Sequence, residues 1–81
     1  MDPTWVLSMT GEQLDAEVTV FHGPRVEVAA FRPAEADPDL YVRHEDGPTP
    51  ARLAVMLDDL LAAGRGAALP GWLVPAPGDR P

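Results

Sequence analysis

The hydrophobic pattern changes period once, at Thr49, and that change decides what the chain can build. Before it, apolar residues recur at every second position, as in strands with one buried face. After it, Leu53, Met56, Leu57, Leu60 and Leu61 recur as i, i+3, i+4, i+7 and i+8, the single stripe of an amphipathic helix. Strands first and one helix last make an α+β arrangement: an antiparallel meander of three to four strands, one face covered by a C-terminal helix, with an apolar, proline-rich tail. Eighty-one residues suffice for one small core, so a single domain is expected over residues 1–74, with 75–81 a disordered tail.

The alternation predicts the strands one by one. Trp5, Leu7 and Met9 share a face in a short first strand closed by Thr10 and Gly11. From Leu14 to His22 the inward set is Leu14, Ala16, Val18, Val20 and His22. After Gly23 and Pro24 turn the chain, Val26, Val28 and Ala30 line one face of a third strand and Glu27, Ala29 and Phe31 the other. Residues directly opposite one another project from the same face, so the paired indices of this hairpin must sum to an even number; His22 opposite Val26 and Val20 opposite Val28 satisfy this. The run from Arg32 to Asp39 carries two prolines and three acids and reads as a loop. A fourth strand, Leu40 to His44, follows, with Leu40, Val42 and His44 on one face and Tyr41 and Arg43 on the other.

The helix has a start and a stop of its own. Thr49 is placed to cap it and Pro50 sits where a missing N–H costs nothing. Gly64 ends it, so that it runs from Thr49 to Ala63, about 22 Å at 1.5 Å per residue. Beyond it, prolines forbid a long helix, yet Leu69, Trp72, Leu73 and Val74 are too apolar for a solvated terminus. They are expected to bury against the chain's own sheet or helix edge, or against a second subunit or another protein.

Charge and composition exclude several functions. The net charge is −7, all six bases are arginines and there is no lysine, isoleucine or asparagine, a residue set that GC-rich codons favour. The acidity argues against nucleic acid or an anionic membrane as a partner. With no cysteine there is no disulfide, thiolate nucleophile or thiolate metal site. The start lacks a basic segment followed by an apolar run, and no stretch of eighteen apolar residues exists, so a cytoplasmic location is expected.

A search for catalytic chemistry returns little. Ser8, the one serine, lies outside any G-x-S-x-G turn. His22 and His44, with Glu45 or Asp46, fall at strand ends on the inward parity, a spacing that does not identify a metal site. Asp58 and Asp59 are adjacent on the helix and about 100° apart around its axis, poor geometry for sharing a proton. Glu35, Asp37 and Asp39 lack the glycine and terminal glutamate of a calcium loop, and neither nucleotide-binding glycine motif is present. No metal or cofactor is expected.

The parity assignment instead places Phe21, Phe31 and Tyr41 together on the outer face of the sheet, with Glu17, Glu27 and Arg43 around them. Together with Leu69, Trp72 and Leu73 they are the expected contact residues for a basic or apolar-faced protein partner, or for a homodimer whose association adds to a thin core. The expected function is that of a small acidic, non-enzymatic interaction or regulatory module. Two alternatives stand beside it: a small enzyme or ligand-binding protein with a histidine pocket formed on dimerisation, and an acidic inhibitor that imitates a nucleic acid.

Leu40-Tyr41-Val42-Arg43, Asp46-Gly47-Pro48 and Thr49-Pro50-Ala51-Arg52-Leu53, leading into Leu57-Asp58-Asp59-Leu60-Leu61-Ala62-Ala63-Gly64, resemble small sheet-plus-helix proteins of high-GC bacteria over about half of the chain. The cysteine that some such families carry beside a V-E-V-A strand is missing next to Val26-Glu27-Val28-Ala29. The resemblance implies an accessory role beside helix-turn-helix regulators, and it transfers no active-site residue.

Overall fold

The computed structural model describes residues 3–77. Five strands form one antiparallel sheet in sequence order: β1 Pro3–Thr10, β2 Asp15–Phe21, β3 Arg25–Phe31, β4 Tyr41–Asp46 and β5 Val74–Pro75. One helix, α1 Pro50–Gly64, lies between β4 and β5 in the chain. The architecture is the expected α+β meander with its helix after the strands, and the tail contributes the fifth strand. Among the described residues no helix is long and apolar enough to cross a membrane.

Leu14, Ala16, Val18, Val26, Val28 and Ala30 of the first two hairpins are buried with Met56, Leu60 and Ala63 of α1 and Leu73 of the tail. They alternate along β2 and β3 as the period of two requires, and Met56, Leu60 and Ala63 fall on one side of the helix. Every member is aliphatic apart from Met56. The smallest extent of the molecule is 20 Å, the thickness of two layers.

Thr49 caps the helix as expected: its Oγ1 accepts from the Arg52 backbone N–H at 3.1 Å, and Pro50 follows. The stop differs. Gly64 is still helical, and the chain leaves the helix at Gly66, whose φ of 103° lies in the left-handed region. The Gly66 N–H donates to the Ala63 carbonyl and the Ala67 N–H to that of Ala62, the paired bonds that satisfy a helix C-terminus. Arg32 adds a cation there: its guanidinium donates to the carbonyls of Ala63 and Ala67 and to that of Gln13, tying the end of β3 to the helix terminus and to the β1–β2 loop.

Two registers depart from expectation. The β2–β3 hairpin keeps the even parity but slides by two residues, pairing Val20 with Val26, Val18 with Val28 and Phe21 with Arg25. The turn is then His22-Gly23-Pro24 with Gly23 at a φ of 100°, and buried Ala16 and Val18 meet buried Ala30 and Val28, with half-buried Val20 opposite Val26. The β3–β4 pairing is the larger correction. Val28 opposes Arg43 and Ala30 opposes Tyr41, so Tyr41, Arg43 and Glu45 share the helix side with the core while Val42 and His44 point outward.

The tail folds back on its own chain. Leu73 is buried, Leu69 and Trp72 pack against the core, Val74 and Pro75 pair with Val42 and Tyr41, and the Ala76 N–H donates to the Leu40 carbonyl at 2.8 Å. Pro75 is therefore part of the sheet and Ala76 is bonded beside it; of the expected disordered tail, 78–81 lies outside the described residues.

Candidate functional site

The sheet has two faces and the chain has one helix. The odd-numbered residues of β2 and β3 point away from that helix, and the registers extend them into rows across the outer face. One row runs Val6, Thr19, Glu27, His44 and the next Ser8, Glu17, Ala29, Val42, Val74. Thr10, Asp15 and Phe31 form a third row toward one end, and Phe21, Arg25 and Asp46 a fourth at the other. Strand twist hollows this face. A depression of about 530 Å³ is lined by Glu17, Thr19, Glu27, Ala29, Val42, His44 and Val74 together with Val28 and Arg43, and a second of about 310 Å³, sharing Glu17 and Ala29, extends to Phe31 and Leu40. The floor is apolar and the acids Asp15, Glu17, Glu27 and Asp46 stand around it. Arg25 belongs to the same face and lies 3.6 Å from Glu27.

The six residues expected to meet a partner divide between the two sides. Phe21 and Phe31 project outward, but at opposite ends of the hairpin: Phe21 pairs with Arg25 and Phe31 with Asp15, about 20 Å apart along the strands. Tyr41 is on the helix side, packed against the core, because the β3–β4 register carries it there. Leu69, Trp72 and Leu73 are likewise on the helix side, with Leu73 only 6% exposed. The aromatic cluster is thus not assembled. In its place the face presents Ala29, expected there, with Val42, which the sequence pattern assigned to the inward side, and Val74 of the tail.

The histidines do not meet. His22 is exposed in the β2–β3 turn and His44 is exposed in mid-strand, paired with Glu27, so β3 stands between them. No group of three metal-ligating side chains occurs among the described residues. Ser8 lies beside Glu17 on the outer face, with His44 three strand spacings away and two residues offset, roughly 16 Å, beyond reach of proton transfer.

The polar network with the most specific geometry lies on the other side and is structural. Glu45 accepts from Arg52 Nη2 at 2.7 Å, Arg52 Nε at 3.1 Å and Arg43 Nε at 2.9 Å. Hydrogen bonding from Arg52 holds the Glu45 carboxyl at about 2, against the pull of partial burial and with help from Arg43. The same pairing raises Arg52 above its ordinary value. Arg52 also stands 5.7 Å from the centre of the Trp72 ring, and the indole N–H donates to Asp59 at 2.9 Å. These contacts seal the β4 flank of the helix and hold the tail in place.

No protein-family model matches the chain, and no curated protein and no solved structure shows significant similarity to it.

Proposed function

We propose that this protein is a non-enzymatic binding module whose outer sheet face receives an apolar segment of another protein flanked by basic residues. The observation that carries the reading is the bare second face: a hollowed apolar floor of Ala29, Val42 and Val74 with four carboxylates around it and, among the described residues, no element packed over it. Apolar contact supplies affinity at such a face, and the carboxylates select a partner of opposite charge. The net charge of −7 supports the same choice, since it favours basic protein surfaces and disfavours polyanions.

The test compares three full-length variants in affinity capture from the native host. Glu17→Lys with Glu27→Lys, and Val42→Asp, are expected to lose the protein partner that the parent chain retains, and capture is expected to weaken between 50 and 500 mM salt. Asp58→Lys, on the exposed helix surface, is expected to retain it. A partner held equally by the outer-face variants, or lost only with Asp58→Lys, refutes the assignment.

A further inference from the structure

The two edges of the sheet are built differently. β5 is two residues long and one of them is Pro75, which has no N–H to donate, so that edge is closed to further pairing. β1 is eight residues long and, among the described residues, pairs with β2 alone. Its sequence, Pro-Thr-Trp-Val-Leu-Ser-Met-Thr, carries no charge in a chain of net charge −7, and none of the lysines or inward charges that protect open edges. A bulge at Thr4 leaves Trp5–Thr10 as a regular ladder, about 20 Å of unpaired backbone.

The apolar layer is incomplete at the same place. Trp5, Leu7 and Met9 point to the helix side, paired with Val20, Val18 and Ala16, yet Trp5 and Leu7 stay 39% and 38% exposed. Leu61 on the neighbouring flank of α1 is 45% exposed, and a groove of about 260 Å³ runs between Met9 and Leu61. The opposite flank of the helix is closed by Trp72 and the Glu45–Arg52 pair; this one is open.

We propose that β1 pairs antiparallel with β1 of a second copy about a two-fold axis through Leu7, joining two sheets into one of ten strands. The strand is its own complement. In this register Leu7 faces Leu7, Trp5 faces Met9 and Val6 faces Ser8, so no charge is opposed or buried. The even index sum also keeps Trp5, Leu7 and Met9 of both copies on the helix side, where they close the apolar layer between the two helices. An odd sum would oppose Trp5 to Ser8 and send the helices to opposite sides. The nearest strand acids, the two copies of Glu17, stand three strand spacings apart and two residues offset, roughly 16 Å, about two screening lengths at physiological salt. The paired edge does not include Ala29, Val42 or Val74, which form the floor of the outer face, so either assignment can fail alone.

Sedimentation equilibrium of the full chain reads the association. The expected species is twice 8.7 kDa, strengthening as salt rises from 50 to 500 mM because the net charges repel, opposite in sign to partner capture by the outer face. Leu7→Lys sets two ammonium groups face to face on the axis and is expected to weaken association at least tenfold. Should it unfold, Val6→Lys places a charge at a position already 49% exposed and is expected to give folded monomer. Because the chain has no cysteine, Leu7→Cys is expected to give a disulfide-linked dimer under mild oxidation, and Val55→Cys, exposed on the helix, is not. A chain that stays monomeric at millimolar concentration, or a dimer that both lysine variants leave intact, overturns the proposal.

Discussion

Replacing Glu45 by glutamine keeps the shape of the side chain and removes its charge, which isolates what the two arginines contribute. In the folded chain the carboxyl is held at about 2, and in the unfolded chain it returns to its ordinary 4.5. A carboxylate with a lowered folded value stabilises the fold fully above the unfolded value, and the contribution is lost as pH falls through the folded one. The interval between the two values, at about 1.4 kcal/mol for each tenfold change in proton affinity, sets a ceiling of about 3 kcal/mol. Solvent lowers that ceiling, because the Arg52 and Arg43 side chains are 32% and 40% exposed and exposed ion pairs deliver little; the forked contact with Arg52 keeps the value above that of a simple surface pair. About 1–2 kcal/mol remains, which for a chain of this length lowers Tm by roughly 5–12 °C. Thermal melts of the parent and Glu45→Gln at one chain concentration, from pH 7 down to pH 2, read the difference directly, since every other carboxylate titrates in both. The gap is expected to be full at pH 5–7, to close between pH 4.5 and 2, and to shrink in high salt. A gap of the same size at pH 7 and pH 2.5, or none at pH 7, refutes the assignment of Glu45 as a charge-dependent clamp between β4 and α1.

Leu60→Ala, at a site with 0% exposure, is expected to lower the unfolding free energy by about 2–5 kcal/mol in urea titrations, whereas Val55→Ala, 48% exposed on the same helix, should stay within about 0.5 kcal/mol. The two glycines at the helix end should respond with opposite signs. Gly64→Ala adds a methyl group in open space at a helical position and is expected to raise stability by about 0.5–1 kcal/mol, while Gly66→Ala meets a φ of 103° and should lower it by about 1 kcal/mol, both read from Tm.

Much of the fold was legible because local period reports local structure. Ala16, Val18, Val26, Val28 and Ala30 alternate in the sequence and all are buried; Thr49 and Pro50 mark the helix start where the cap forms. Parity restricted the β2–β3 register to even sums. The choice among even sums went to the register that opposes Ala16 to Ala30 and puts a left-handed glycine at the centre of the turn. The candidate site was less legible. Alternation in β4 tells that Tyr41 and Val42 face opposite ways, not which of them faces the helix, and the intervening loop from Arg32 to Leu40 carries no phase across. The inward choice of Leu40, Val42 and His44 followed hydrophobicity. In the fold, Tyr41, Arg43 and Glu45 face inward, because at the sheet margin the helix offers Arg52 and the tail offers Trp72, which suit amphipathic and charged partners.

From its sequence alone this chain is an antiparallel meander capped by one amphipathic helix, because strand and helix periods, caps and turns are set by residues within a few positions of one another. Three things waited for the tertiary structure: the side of the sheet that Val42 takes, the return of Trp72 onto its own helix, and the open, uncharged edge of β1. Each depends on how segments distant in the chain pack against one another, and packing between distant segments leaves no periodic trace in either.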